Sequence, residues 1–259
     1  MNIAFIGLGN MGGRMAHNLL KAGIKVYGYD LSEVAIQHFA EAGGVVCSSP
    51  QDAAKQADMV ITMLPAAKHV KEVYLGENGV LEVLKAGGII LYPTDTVWGL
   101  GCDATNEAAV AKIFELKKRD DSKSFIILLD TDNKLQSYVS EIPDVAYDLI
   151  EYTEKPLTII YDGAKNLAKN LIGEDGSIGI RIPKHDFCQQ LVQRFRKPIV
   201  STSANISGEN TPQNFTEISE QIINGVDLII DLEQDSNEQK QSSTIIKLGA
   251  GGQFEFIRK

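Results

Sequence analysis

The short apolar run Asn2–Ile6 is followed at once by Gly7-Leu8-Gly9-Asn10-Met11-Gly12, and this junction constrains the first third of the chain more than any other feature. Residues 11–22 place Met11, Met15, Leu19 and Leu20 at helical spacing, and Lys25–Tyr29 reads as a second strand ending at Asp30. A strand, a Gly-x-Gly-x-x-Gly turn, a helix and a further strand make a βαβ unit in which each glycine has a separate task. Gly7 permits the tight turn, Gly9 lets a pyrophosphate approach the backbone, and Gly12 lets helix pack on strand. The helix N-terminus offers amide donors and a favourable dipole to phosphates. Asp30 stands 18 residues after Gly12, near the place where a carboxylate accepts from both ribose hydroxyls. A 2′-phosphate would be disfavoured there, so the pattern prefers NAD to NADP.

The alternation continues with a helix over 33–42, a strand over 45–47, a helix over 50–56, a strand over 59–63 and a helix over 68–74. IGLGNMGGRMAHNLLKAG, the strand end at Asp30 and VITMLP together resemble the N-terminal domain of the 3-hydroxyisobutyrate dehydrogenase family. The resemblance covers residues 1–86 and implies a Rossmann-type domain with Gly7, Gly9, Gly12 and Asp30 as NAD-binding residues. That family continues with a completed sheet, an SGG-type motif and a helical domain carrying a catalytic lysine, none of which is recognisable here. The expectation is therefore a partial dinucleotide-binding domain, with an NAD-dependent hydroxyacid dehydrogenase as a weaker alternative.

A helix over Val80–Lys85, the pair Gly87-Gly88 and a strand over 89–92 suit either neighbour. One strand cannot be central to two sheets, and Pro93-Thr94-Asp95-Thr96 departs from the dehydrogenase pattern. No Gly/Ser- or Pro-rich stretch separates the two parts. The chain reads as a fusion at a locally similar segment, with domains over 1–86 and 87–259.

Beyond residue 87, helices over 110–116, 145–151, 187–195 and 215–224 alternate with strands over 124–129, 157–161, 178–182, 198–201 and 227–231. Residues 243–248 and 254–257 form a terminal hairpin through GAGG. This is a mixed α/β sheet with helices. Polar residues gather where its strands and helices end. Thr94 and Thr96 follow a buried strand; Lys117, Arg119, Lys123 and Ser124 lie past a helix; Ser201, Ser203, Asn205 and Ser207 follow another strand. Lys117 and Arg119, two apart, share a ligand only if the helix ends there. Arg181 sits on a strand apolar on both sides and needs a partner, because an unpaired buried guanidinium is very costly. Several cations, hydroxyls and an amide without a Walker motif suit a polyphosphate and a small amino acid held by side chains.

YPTDTVWGLGCDA, KKRDDSKS, GSIGIRIP, PIVSTSANISG and SSTIIKL together resemble the YrdC-like (TsaC) family of threonylcarbamoyl-AMP synthases, over about residues 80–259. The resemblance implies a YrdC-like mixed twisted sheet preceded by the partial Rossmann fold. It implies an enzyme that uses L-threonine, bicarbonate and ATP, with Mg²⁺, to make an adenylate that a threonylcarbamoyl transferase machinery carries to tRNA. On this sequence Lys117, Arg119, Lys123 and Ser124 become the catalytic set. Thr94, Thr96, Arg181, Ser201, Ser203 and Asn205 become the threonine and ATP ligands. A YciO-type paralogue, which would share the fold, and an RNA-binding module without synthase activity are the alternatives; the intact Lys/Arg/Ser/Asn set favours the synthase.

Charge and cysteine usage bound the rest. The chain carries 25 Lys+Arg against 34 Asp+Glu, a net charge of −9, of which −1 falls in residues 1–86 and −8 in the remainder. Bulk charge of that sign disfavours non-specific nucleic-acid binding, so only weak double-stranded RNA or tRNA contact is expected. Cys47, Cys102 and Cys188 form no CxxC pair and the four histidines no HExxH, so buried thiols and no structural metal are expected. The longest apolar run, around residues 125–129, is strand-sized, and the Gly-punctuated N-terminus lacks a signal-peptide pattern. A cytoplasmic protein that does not meet the membrane is expected.

Overall fold

The computed structural model describes residues 2–64, 79–119, 125–234, 236, 240–249 and 251–258. The chain divides into two compact units, Met1–Val80 and Leu81–Lys259.

The first unit is built on four parallel strands, β1 (Asn2–Ile6), β2 (Lys25–Tyr29), β3 (Val45–Val46) and β4 (Met59–Thr62), in the order β3-β2-β1-β4. Between them run α1 (Gly12–Lys21), α2 (Glu33–Glu41) and α3 (Pro50–Ala54). The central strand β1 is apolar on both faces because each face is covered. Phe5 packs with Leu8, Ala16, Val26 and Phe39 on one side, and Ala4 with Tyr27, Cys47 and Ala53 on the other. Ser32 caps α2 by accepting from the Ala35 amide at 3.4 Å. The helix expected over 68–74 lies outside the described residues.

The second unit follows α4 (Val80–Lys85). It holds β5 (Ile90–Tyr92), β6 (Gly99–Gly101), α5 (Glu107–Lys117), β7 (Ile126–Leu128), α6 (Leu135–Tyr138), α7 (Val145–Tyr152), β8 (Leu157–Tyr161) and β9 (Ile178–Arg181). Then come α8 (Asp186–Phe195), β10 (Ile199–Ser203), α9 (Glu220–Asn224), β11 (Leu228–Ile229), β12 (Thr244–Leu248) and β13 (Phe254–Arg258). The sheet runs β11-β5-β6-β10-β7-β9-β8-β12-β13 and is mixed, with β5–β6, β6–β10, β10–β7, β8–β9 and β12–β13 antiparallel and β11–β5, β7–β9 and β8–β12 parallel. One core fills it, with Leu91, Leu100, Ile127, Ile159, Ile180 and Val200 from the sheet meeting Val110, Ile113 and Phe114 of α5. The α/β class and mixed sheet expected from sequence are what the chain adopts.

Three local readings are corrected. Residues 99–101 form a strand that the glycines of VWGLG concealed; a Cβ on Gly101 would lie 2.7 Å from the Tyr92 ring and 2.9 Å from the Val200 carbonyl, so close strand packing requires glycine. The helix expected over 110–116 starts earlier, at Glu107, because Asn106 accepts from the Ala108 and Ala109 amides at 3.0 and 3.1 Å. The helix expected over 215–224 is split into a 3-10 turn at Phe215–Glu217 and α9. Between them Ile218 and Ser219 are extended. The ambiguous strand at the junction is resolved, since β5 pairs with β6 and β11 in the nine-stranded sheet. The Gly249 amide donates to the Gln253 carbonyl at 2.8 Å at the terminal hairpin.

Candidate functional site

In the second unit the sheet register brings the separate motifs together. Ser203 of β10 lies opposite Gly99 of β6, and the Ala204 amide donates to the Trp98 carbonyl at 2.9 Å. The STSANIS loop therefore sits beside the turn that carries Thr94 and Thr96. Lys117, the last residue of α5, ties the same loop from below. It is 1% exposed, and its Nζ donates to the carbonyls of Ser203 and, at 2.6 Å, Asn205. The Ser207 amide returns a bond to the Lys117 carbonyl at 2.9 Å. Burial, with Arg119 nearby, pushes the Lys117 amine down to about 7.

The helix does end where the Lys117/Arg119 spacing requires. Lys118 adopts the left-handed conformation at φ 49°, and the Arg119 amide closes the turn on Phe114 at 3.0 Å. Arg119 then leaves the helix axis and lies with its guanidinium carbon 5.0 Å from the Phe125 ring centroid. Burial lowers its pKa. Lys123 and Ser124 lie outside the described residues.

The two threonines of the turn are unequal. Thr94 Oγ1 donates to the Val97 carbonyl at 2.8 Å and accepts from the Thr96 amide at 3.0 Å. Its only proton is thus spent, so the 2.9 Å contact between the two hydroxyls has Thr96 as donor. Thr94 is saturated and shapes the turn, whereas Thr96 keeps acceptor capacity for a ligand. Both line a narrow crevice of about 10 Å³ together with Trp98, Asn214, Glu233 and Lys240, room for about one water.

Arg181 ends β9 and finds the partner its burial demands. Its Nη2 lies 3.4 Å from Asp95 Oδ1, with both side chains at most 5% exposed. Asp95 also accepts from the Lys184 amide at 3.2 Å. The contact with Arg181 is an ion pair without hydrogen-bond geometry, and Arg181 Nε is buried with no hydrogen-bond partner among the described residues. Asn205 shows the same feature. Its amide nitrogen donates to Ile206 and Glu209 at 3.0 and 2.9 Å, while its Oδ1 is buried and unmatched. Buried polar atoms are normally paired; Asp95 Oδ1, Asp130 Oδ1, Tyr161 OH, Asn170 Oδ1 and Ser219 Oγ also lack a hydrogen-bond partner among the described residues, and Arg181 Nε and Asn205 Oδ1 are the two on residues expected to bind ligand. Ser201 is buried on β10, opposite Ile126 and near the Tyr92 phenol.

Sequence reasoning missed Asp95, Lys240 and Arg258. Arg258 ends the terminal hairpin and donates through Nε and Nη2 to the Ser243 carbonyl at 3.0 and 2.8 Å. Ser243 in turn meets Thr158, which pairs with Arg181 in register. Burial and the neighbouring Arg181 lower the pKa of Arg258. The alternation in FEFIR and the short GAGG turn were the available signal. Among the described residues no group of three or more His, Cys, Asp or Glu is placed to hold a metal ion. All three cysteines are free and buried.

In the first unit the three glycines divide their tasks as the motif requires. Gly7 has φ 95° and its amide donates to the Tyr29 carbonyl at 2.9 Å. A Cβ on Gly12 would lie 1.9 Å from the Gly7 carbonyl, whereas Gly9 has nothing within 4 Å and leaves its backbone open to a phosphate. Asp30 holds the loop, accepting from the Leu8 amide at 2.5 Å and the Ser32 amide at 2.7 Å. Beside it a groove of about 740 Å³ runs between α1 and α2, lined by Gly9, Asn10, Arg14, His17 and Ser32. These residues fit a dinucleotide pyrophosphate.

Comparison with known proteins finds two family likenesses, which overlap over residues 82–110. The Sua5/YciO/YrdC family, described as "Telomere recombination", matches residues 82–259, and the "NAD binding domain of 6-phosphogluconate dehydrogenase" matches residues 2–110. A protein of Pseudoalteromonas translucida named threonylcarbamoyl-AMP synthase is 36% identical over 159 residues, which cover 60% of this chain and 85% of that protein. Among solved structures, P. abyssi Sua5 complexed with L-threonine is 29% identical with a TM-score of 0.59, covering 65% of this chain; the match spans 49% of the Sua5 chain, about half its length. E. coli YciO is 25% identical with a TM-score of 0.62, covering 76% of this chain and 91% of YciO. The chain thus belongs to the Sua5/YciO/YrdC family through residues 82–259, with an NAD-binding-type segment in front.

Proposed function

We propose that this chain is a nucleotidyltransferase that makes threonylcarbamoyl-AMP and pyrophosphate from L-threonine, bicarbonate and ATP, for threonylcarbamoyladenosine on tRNA. The observation that carries the reading is that two of the seven buried side-chain atoms without a hydrogen-bond partner among the described residues are Arg181 Nε and Asn205 Oδ1. Both belong to residues singled out for ligand binding, and they offer one donor and one acceptor. The relative named threonylcarbamoyl-AMP synthase and the threonine complex of Sua5 supply the chemical identity.

In the proposed reaction the free amine of threonine attacks the carbon of bicarbonate and water leaves, giving N-carboxythreonine, whose carboxylate oxygen attacks the α-phosphorus of ATP. The bond to pyrophosphate breaks and pyrophosphate leaves with its electron pair. The nucleophile is already anionic, so positioning and charge neutralisation carry the catalysis. Lys117 and Arg119 are assigned to the phosphates, Lys117 through the Ser203–Asn205 loop that its buried amine holds; Lys123 and Ser124 are assigned to the triphosphate or carbamate, and Arg181 to the threonine carboxylate or a phosphate. Thr96 accepts from threonine within the turn that Thr94 shapes, and Ser201, Ser203 and Asn205 take nucleotide oxygens. Mg²⁺ is read as arriving with the ATP phosphates. The product passes to the transferase that acts on tRNA, in the cytoplasm. In the first unit Gly7, Gly9, Gly12 and Asp30 would hold NAD.

Pyrophosphate release from ATP by the full chain, with and without L-threonine and bicarbonate, tests the reading. Release that needs both supports it. A folded chain that releases none points to the YciO-type alternative, whose fold this chain shares at 25% identity.

A further inference from the structure

We propose that Lys240 is a positioning residue for the amino-acid half of this site, setting Thr96 through the carbonyl of Thr94; the proposal rests on the synthase reading above. Lys240 lies in the connection between β11 and β12, far in sequence from the turn it holds. Its Nζ donates to the Thr94 carbonyl at 3.0 Å and to Glu233 at 2.6 Å. Glu233 Oε1 meets His185 Nε2 at 2.9 Å. His185 caps α8, its Nδ1 accepting from the Cys188 amide at 3.5 Å, which places the ring proton on Nε2 as donor to Glu233. Cys188 closes the circuit, its thiol donating to the Pro93 carbonyl at 3.4 Å.

The turn is thus held at successive carbonyls, Pro93 from α8 and Thr94 from Lys240, while Asp95 is fixed by Arg181 and the Lys184 amide. Thr96 makes no side-chain bond to any of these anchors. Among the described residues its hydroxyl is aimed by the turn, through Thr94. A shift of the Thr94 carbonyl therefore moves the acceptor offered to threonine. The centre of the device is Glu233, which adopts the left-handed conformation at φ 58°, a costly backbone for a residue with a side chain. That conformation places one carboxylate between two donors. Burial pushes the Glu233 carboxyl up, but its bonds to Lys240 and His185 outweigh this and hold it below its ordinary value. Lys240 is about one-fifth exposed, so its bonds are charge-assisted and only partly screened.

The test compares Lys240→Met, Lys240→Arg and Glu233→Gln in the full chain. It reads KM for threonine and for ATP by pyrophosphate release, and threonine affinity by calorimetry. Lys240→Met should raise the threonine KM about tenfold and leave the ATP KM unmoved, as expected for one charge-assisted contact. Lys240→Arg, whose fork can span both acceptors, should restore most of it. Glu233→Gln keeps an acceptor without the charge and should give a smaller rise, about threefold. An unchanged threonine KM in both Lys240→Met and Glu233→Gln, or equal rises for threonine and ATP, overturns the positioning role while leaving the synthase reading intact. If the unaltered chain binds threonine but releases no pyrophosphate, the synthase reading fails and the affinity ratios alone decide the role of Lys240. An unaltered chain that neither binds threonine nor turns over overturns both.

Discussion

Arg181 and Asp95 oppose each other at 3.4 Å from different parts of the sheet, both essentially removed from solvent. Removing one partner strands the other charge in a poorly solvated site, which typically costs 3–5 kcal/mol, more than the pair itself contributes. Arg181→Met and Asp95→Asn should each lower the unfolding free energy of the second unit, read from urea denaturation, by that order. The double variant should recover part of the loss, and a sum of the two single effects would show that the residues are not coupled.

Lys117 links stability to pH. With its amine pushed down to about 7 by burial and by Arg119, the folded chain binds fewer protons at this site than the unfolded chain from about pH 7 to the ordinary lysine range. Stability from this residue should therefore rise with pH through that window, by up to a few kcal/mol, and be flat below it. The two carbonyls that accept from Nζ favour the ammonium and reduce the effect. Urea midpoints between pH 6 and 9 should show this slope, and Lys117→Met should abolish it while lowering stability throughout.

Asn106 caps the helix that delivers Lys117. Its Oδ1 takes two otherwise orphaned amides, so Asn106→Ala should cost about 1 kcal/mol in chemical denaturation, and Asn106→Asp should cost little.

The glycine loop of the first unit separates folding from binding. Gly12→Ala forces a methyl to within 1.9 Å of the Gly7 carbonyl and should disrupt this unit, seen as lost helical circular dichroism. Gly9→Ala meets no atom within 4 Å and should fold normally, yet weaken NAD in calorimetric titration because the methyl occupies the phosphate approach. NAD affinity unchanged in Gly9→Ala would remove the pyrophosphate from this loop.

Periodicity and turn chemistry carried much of the architecture. The alternation of β1, α1 and β2 was legible because an apolar strand, three spaced glycines and an amphipathic helix follow one another without ambiguity. β6 was not, because Gly101 is there for the space it leaves to Tyr92 and Val200, a demand made by neighbours distant in sequence. Arg181 announced its need for a partner through its apolar neighbours, but nothing local named Asp95. Lys117 was identified as a cation and not as a prop for a loop, because the carbonyls it reaches come from residues 203 and 205. Lys240 stood in a polar stretch that reads as ordinary solvated loop. What the linear pattern hid were pairings between strand ends, which exist only once the register is set.

The strand Ile90–Tyr92 has a practical consequence. The likeness to dinucleotide-binding proteins extends to residue 110, yet the hydrogen bonds of that strand belong wholly to the nine-stranded sheet. A gene truncated where the likeness ends would hand β5 and β6, and the turn bearing Thr94 and Thr96, to a fragment that cannot use them. The boundary that matters for expression is Val80, and a stretch of polypeptide written in the idiom of one ancestor is here folded by the other.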